Sequence, residues 1–189
     1  MRQLAISLFA AGMLAAPAIH ADSWKLQASD KVYKFAGDIT FTYVIDPIDG
    51  GRWAKFAVKV YQGGRLLAQY GSIGFDELIA SPDGSLFIGL SNSGIPGTAV
   101  VVFGRHGNLL LHVQHDVARF DYCDETISLV RDWYIAGRDS VQFGEGLAEI
   151  SLLDCRGKRV NLLDVVAEAY ARGATEHREW KAGRTPGSK

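Results

Sequence analysis

The chain has little net charge and no basic block, and these absences exclude several classes of protein. Twenty basic residues stand against 21 acidic ones, for a formal net charge of −1. Nucleic-acid binding depends on Lys and Arg side chains that neutralise phosphates, so no nucleic-acid partner is expected. After the N-terminal region no apolar run approaches the roughly 20 residues that a membrane-spanning helix needs. The sequence therefore predicts no membrane anchor in the mature chain.

Motifs for common catalytic and cofactor sites are also lacking. The sequence contains no Gly-x-Ser-x-Gly, no Gly-Lys-Ser/Thr and no Cys-x-x-Cys, the patterns of a nucleophile elbow, a phosphate loop and a redox pair. The one close histidine pair, His112 and His115, lies on a predicted strand, where residues three apart point to opposite faces and cannot chelate one ion. We expect no metal and no cofactor, identify no catalytic residue, and favour a protein that is not an enzyme.

The N-terminus differs from the rest of the chain. One positive residue, Arg2, precedes an apolar stretch from Leu4 to Ala16, which Pro17 ends, and a small residue, Ala21, follows. This order is typical of a secretory signal peptide. We therefore predict that residues 1–21 are cleaved and that the mature protein is soluble and periplasmic or secreted.

The chain has only two cysteines, Cys123 and Cys155, and both lie in the predicted mature part. An even number of cysteines in an exported chain favours a disulfide. Each cysteine stands among turn-forming residues, so the bond would join two surface loops. A reactive thiol is the alternative, although no helix N-terminus is predicted next to either cysteine to lower its pKa.

Between residues 33 and 163 apolar and polar residues alternate in short runs separated by glycine turns, the pattern of half-buried strands. In the clearest run, one face would carry Ile39, Phe41, Tyr43 and Ile45, with Thr40 and Thr42 on the other. Gly63-Gly64 predicts a hairpin that sets Val60 opposite Leu67. The interpretation is a mainly β fold, an antiparallel meander or β-sandwich, with a small propeller-like arrangement as the alternative.

The periodicity changes after Leu163. Asp164 is predicted to cap one short helix that ends near Gly173, with an apolar stripe that contains Val165, Val166, Ala169 and Tyr170. We therefore expect a single β-rich domain over residues 22–172 that includes this helix. Residues 173–189 would form a polar, partly disordered tail.

Two surface features suggest binding. A polar, glycine-rich loop over residues 91–97 contains Asn92 and Ser93, and Trp133-Tyr134 would direct one aromatic ring inward and the other outward if it lies on a strand. Loops and exposed aromatic rings often carry recognition. With His106, in the turn predicted at residues 104–107, these four residues form the candidate binding surface.

These observations favour a non-catalytic binding or protein-interaction module of the cell envelope, with an unidentified protein or envelope ligand as its partner. An exported inhibitor or immunity-type protein is the nearest alternative. A periplasmic hydrolase is the other, because the fold could bring together carboxylates that are distant in sequence. Two carboxylates, or a Ser–His–Asp set, converging in one cleft would indicate the hydrolase.

Overall fold

The computed structural model describes residues 29–51, 53–93, 97–125 and 130–181. The predicted signal peptide and the end of the predicted tail, residues 182–189, lie outside these ranges. The fold is mainly β, built from antiparallel sheets and one C-terminal helix, as the sequence predicts. No helix in the described ranges is long and apolar enough to cross a membrane.

Sheet 1 is a four-stranded meander. Its strands, in spatial as well as chain order, are β1 (Ser29–Lys34), β2 (Ile39–Ile48), β3 (Trp53–Gln62) and β4 (Arg65–Gly71). Burial alternates along β2, where Ile39, Phe41 and Tyr43 are buried and Thr40 and Thr42 are partly exposed. Within the described ranges the sheet is therefore covered on one face only, and the faces predicted from the alternation are confirmed.

The β3–β4 hairpin differs from its predicted register by one residue. Both turn glycines, Gly63 and Gly64, have positive φ, at 55° and 79°, which the predicted tight turn requires. However, Val60 pairs with Ala68 and Tyr61 pairs with Leu66, so one extra residue on β4 forms a bulge. The predicted pairing of Val60 with Leu67 is wrong because a bulge shifts the register by one position.

Sheet 2 is a second meander, made of β5 (Glu77–Ala80), β6 (Leu86–Leu90), β7 (Thr98–Gly104) and β8 (Leu109–Gln114). Every residue of β6 and β7 is buried. Continuous burial replaces alternation when a sheet is covered on both faces. Sheet 2 is therefore the middle layer of the molecule.

The remaining strands form a two-stranded ladder and a third sheet. A two-stranded ladder pairs β9 (Asp124–Glu125) with β10 (Arg131–Asp132), and sheet 3 consists of β11 (Val141–Gly144), β12 (Gly146–Leu153) and β13 (Arg159–Asn161). The chain then enters the helix α1 (Leu162–Lys181). Sheet 3 is also a meander of consecutive strands, so each larger sheet is made from one continuous segment.

Two hydrophobic cores hold the layers together. The first lies between sheets 1 and 2 and includes Phe41, Val60, Phe87 and Phe103. The second lies on the other face of sheet 2, where residues of β6 and β7 pack against β12 and α1. This stacking of meander sheets agrees with the predicted meander or sandwich.

Helix α1 is longer than predicted and begins differently. Asn161 caps it, since its side-chain oxygen accepts hydrogen bonds from the N–H groups of Leu163 (2.9 Å) and Asp164 (3.3 Å). Asp164, the predicted cap, lies inside the helix. The helix also continues past Gly173, so residues 173–181 of the predicted tail are helical.

Gly173 serves close packing rather than helix termination. A Cβ atom at this position would overlap the backbone carbonyl oxygen of Val117. The missing side chain lets α1 approach the segment that follows β8, and Arg119 N–H donates to the carbonyl of Ala169 in this helix (2.9 Å). The predicted stop is wrong because glycine was needed for close contact, not for positive φ.

Candidate functional site

The disulfide between Cys123 and Cys155 is present, with the two Cα atoms 6.0 Å apart. It ties the segment before β9 to the turn between β12 and β13. Arg156, next to Cys155, makes a bidentate ion pair with Asp121, at 2.6 and 3.2 Å. The guanidinium holds the pKa of the Asp121 carboxyl below its ordinary value. The predicted bond is confirmed, and it joins two turns at the surface.

Trp133 and Tyr134 are both buried, with exposed fractions of 2% and 3%. The prediction that one of the two rings faces outward is wrong. The pair follows β10 in irregular chain, where strand alternation does not apply. The Trp133 indole N–H donates to the carbonyl of Ser91 (2.9 Å), and its ring lies 4.3 Å from that of Phe120. Both rings belong to the hydrophobic core.

Asn92 binds the backbone of this aromatic pair. Its side-chain oxygen accepts from Trp133 N–H, its amide group donates to the Tyr134 carbonyl, and both distances are 3.3 Å. Its own N–H donates to the Asp76 carboxylate (3.0 Å). Ser93 forms an isolated β-bridge with Val130. Four of the five predicted surface residues thus come together, but their contacts hold segments of the protein to one another. Residues 94–96 of the same loop lie outside the described residues.

His106 lies far from those four residues. It is exposed in the turn between β7 and β8. This turn begins beyond Gly104, which pairs with Leu86 at the start of β6. Asn92 follows Leu90 at the other end of β6. The structure therefore places His106 and Asn92 at opposite ends of sheet 2, and the five residues do not form one surface.

A buried histidine that was not a candidate site residue completes these contacts. His115 has no exposed surface, and its ring nitrogens lie 3.1 Å from the Ser91 carbonyl and 3.1 Å from the Tyr122 hydroxyl. Burial lowers the pKa of His115 to about 4, so the ring is neutral at pH 7. The sequence carried no signal for this role, because both contacts come from elsewhere in the chain. We use the name polar joint for Asp76, Ser91, Asn92, His115, Trp133 and Tyr134.

The polar joint contains a serine, a histidine and an aspartate without the geometry of a catalytic triad. The Ser91 hydroxyl donates to the Asp76 carboxylate (2.9 Å), whereas His115 contacts the Ser91 carbonyl and not its hydroxyl. A nucleophilic serine needs a base within reach of its hydroxyl proton and access for the substrate. Ser91 is completely buried. These three residues therefore stabilise the joint.

Asp76 and Glu77 are adjacent carboxylates near a cleft of about 350 Å³ that Tyr33 and Arg138 also line. Glu77 accepts a hydrogen bond from Gly137 N–H (3.0 Å). Burial raises the pKa of Glu77 above its ordinary value. Asp76 accepts from the Ser91 hydroxyl and the Asn92 N–H, so both carboxylates are bound to groups of the protein, and Glu77 connects β5 to the chain at Gly137.

A second cleft, of about 400 Å³, lies beside the disulfide, between the β12–β13 turn and the start of α1. Its charges are balanced and partly paired with one another: Arg156 binds Asp121, and Arg172 lies 3.7 Å from Glu168. Within the described ranges, no group of three or more side chains could hold a metal ion. The cleft does not indicate the charge of a ligand.

The outer face of sheet 1 points away from sheet 2 and is uncovered in the described part of the chain. It carries exposed apolar side chains at both edges, with Val32 54% exposed on β1 and Leu66 49% exposed on β4. Four strands about 4.8 Å apart, with about 3.3 Å per residue over the roughly five residues that each strand contributes, give this face an area of about 300 Å². The face consists of Asp30, Val32, Lys34, Thr40, Thr42, Val44, Ala57, Lys59, Tyr61, Leu66 and Gln69.

Comparisons with known proteins give this surface no assignment. No protein-family model, no curated protein and no solved structure matches the chain.

Proposed function

We propose that the mature chain is a non-catalytic protein-interaction module of the cell envelope, and that it binds a protein partner through the outer face of sheet 1. The observation that carries the proposal is the exposure of apolar side chains on an open four-stranded face. Exposed large apolar side chains that share one open face with polar ones are typical of non-obligate interaction sites. One partner in a standard interface buries about 800 Å², so this face would form the central part of such an interface and the surrounding surface would form the rest.

The composition of the face supports a protein partner. Threonines occupy the centre of β2, Lys59 and Tyr61 lie on β3, and Val32 and Leu66 lie on the two edge strands. Non-obligate protein interfaces have this mixture of apolar and polar groups. By contrast, the polar groups of the joint already have partners inside the protein: no buried side-chain N or O atom in the described residues lacks a hydrogen bond.

The location in the envelope rests on two supports. The N-terminal 21 residues have the order of a secretory signal peptide. The Cys123–Cys155 disulfide fits an oxidising compartment, where such bonds persist.

Partner capture with a matched pair of variants tests the proposal. Tyr61→Glu/Leu66→Glu places two charges on the outer face, and Gln142→Arg changes an exposed residue of sheet 3 as the control. The mature chain, immobilised and exposed to an envelope fraction, should retain a stoichiometric protein. We expect the double variant to lose this protein and Gln142→Arg to keep it. Equal retention by both variants would contradict the proposed surface.

The same experiment separates the alternatives. A captured enzyme that loses activity in the complex would identify the chain as an inhibitor or immunity-type protein within the proposed class. A panel of ester, glycoside and phosphate substrates tests the hydrolase. Turnover that Asp76→Asn or Glu77→Gln abolishes, in a variant that remains folded, would overturn the non-catalytic proposal.

A further inference from the structure

We propose that two copies of the mature chain form a symmetric dimer through the free edge of β1, which joins two four-stranded sheets into one. This inference goes beyond the proposed function and does not rest on it. In the described part of the chain β1 pairs only with β2, so its other edge presents unpaired backbone groups. Such an edge is a template for pairing with another strand.

The register of β1 shows which backbone groups point outward. Phe35 N–H donates to the Ile39 carbonyl (2.9 Å), and the pairing continues without a bulge from Lys34 opposite Thr40 to Ser29 opposite Ile45. Hydrogen-bonded and non-hydrogen-bonded pairs alternate in an antiparallel ladder. Tyr33, Lys31 and Ser29 therefore bond to β2. The N–H and C=O groups of Asp30, Val32 and Lys34 point away from β2.

A two-fold axis through Val32 uses all of these outward groups. In antiparallel pairing about this axis, Val32 lies opposite Val32 of the second copy, and Asp30 lies opposite Lys34 of that copy. Asp30, Val32 and Lys34 each exchange backbone N–H···O=C hydrogen bonds with the residue opposite them in the second copy. The two Asp30–Lys34 pairs are related by symmetry, so one contact between opposite charges occurs twice. The edge is thus complementary to itself, as a two-fold interface requires.

Other symmetric registers pair the charges badly. An axis through Asp30 places two aspartates opposite each other, and an axis through Lys34 does the same with two lysines. Like charges directly opposite are destabilising. Axes through Lys31 or Tyr33 set a charged residue against Val32. Among the symmetric registers centred on residues 30 to 34, only the Val32 axis combines full use of the outward groups with charge pairing.

Residues on the other face of β1 also suit this register. Lys31 lies opposite Tyr33 of the second copy, where an ammonium group can contact the face of the ring. Tyr33 packs against Phe75, with ring centroids 5.6 Å apart, and this contact holds β1 against the core. The edge is therefore ordered before pairing, which lowers the entropic cost of association.

The exposure of Val32 is explained by the dimer. It is 54% exposed, the largest fraction among the exposed large apolar residues of the described chain. Lysines on an edge strand commonly prevent pairing, but here each Lys34 has an Asp30 to face. Because the axis is perpendicular to the sheet, the outer faces of both copies lie on the same side, and the dimer presents that face twice.

Sedimentation velocity of the chain without residues 1–21 tests the dimer over micromolar to submillimolar concentrations. We expect a concentration-dependent dimer. Lys34→Glu and Asp30→Lys each place like charges opposite each other twice, and each should weaken the dimer about tenfold or more. The double variant Asp30→Lys/Lys34→Glu restores opposite charges and should restore the dimer. Lys59→Glu, the same charge change on β3, should leave dimerisation unchanged.

A proline variant tests the backbone pairing separately. The N–H of Val32 points away from β2, so Val32→Pro removes both hydrogen bonds that the two Val32 residues exchange in the dimer and none within sheet 1. Circular dichroism should show a folded monomer. A wild-type chain that stays monomeric at all concentrations would overturn the proposal. So would a dimer that persists in Val32→Pro, or a charge reversal that the double variant does not rescue. Loss of the dimer leaves partner capture by monomers measurable, so the two proposals can fail independently.

Discussion

Sheets 1 and 2 have the same meander topology but differ in how they are covered. Sheet 1 buries one face, and its sequence alternates between apolar and polar residues. Sheet 2 lies between two cores, and its central strands are buried throughout. Consecutive antiparallel hairpins build both sheets. The two sheets differ in the number of layers packed against them, and this number sets which of their residues must be apolar. The open face of sheet 1 is the surface through which we propose that the chain binds its partner.

The largest expected effect is the difference in stability between a substitution at a buried residue of sheet 2 and one at an exposed residue of sheet 1. Phe87 is fully buried, with its ring 4.9 Å from that of Phe41. Phe87→Ala should lower the free energy of unfolding by about 3–5 kcal/mol because it leaves a cavity. Leu66→Ala removes a half-exposed side chain and should change it by about 0.5 kcal/mol or less. Urea denaturation of both variants measures the difference; similar losses would contradict the assignment of sheet 2 as the middle layer.

Removal of the disulfide should have the next largest effect. The bond closes a loop with a sequence separation of 32 residues, for which chain entropy predicts a loss of roughly 3–4 kcal/mol on removal. We expect Cys123→Ser/Cys155→Ser to lower the free energy of unfolding by this amount. The wild-type protein under reducing conditions is the control, and it should match the variant. A variant as stable as the oxidised protein would show that the joined turns were already held by other contacts.

Acid should destabilise the core between sheet 2 and α1 through His115. Its pKa falls to about 4 in the folded state from 6.5, so the unfolded chain binds the proton at a higher pH. Stability is therefore complete above pH 6.5 and is lost as the pH falls toward 4, by about 2–3 kcal/mol. Urea denaturation between pH 7 and 4 measures this loss.

His115→Gln should show a weaker dependence on pH, although it is less stable at pH 7. Burial also lowers the pKa of His112, so His112→Gln is the matched comparison and should remove a smaller part of the slope. An unchanged slope in His115→Gln would contradict this role of the buried ring.

The smallest effect concerns the helix that covers the second face of sheet 2. Asn161→Ala removes the two hydrogen bonds that cap α1 and should cost about 1 kcal/mol. Asp164→Ala keeps this cap and should cost less. Thermal unfolding of both variants distinguishes the observed cap from the predicted one. An equal or larger loss in Asp164→Ala would show that the charge at the helix start matters more than the cap.

Local patterns predicted the parts of the fold that depend on neighbouring residues. Alternation identified the buried face of β2, and turn residues located the turns at Gly63-Gly64 and at residues 104–107. The cysteine count and the expected export predicted the disulfide. The bulge beside Leu67 was missed, because the alternation of a short run does not show an extra residue in one strand of a pair.

The candidate site was less predictable. Asn92 and Trp133 were selected for their residue types, and the structure does bring them into contact. Their contact is internal, because the chain after β10 folds into the core and not along a sheet surface. His115 escaped selection for a related reason: its partners, Ser91 and Tyr122, lie on separate segments. A polar residue type predicts that the side chain will form hydrogen bonds, but it does not show whether solvent or the protein supplies the partner.

Side-chain period, backbone freedom and cysteine number are enough to predict strands such as β2, the glycine turns and the disulfide partners. The order of the sheets, the end of α1 and the polar residues that face solvent follow only from the folded chain, because burial depends on what packs against each face and packing joins segments that no local pattern relates. The outward edge of β1 depends on both: its charges lie within six consecutive residues, and in the described part of the chain β1 pairs only with β2.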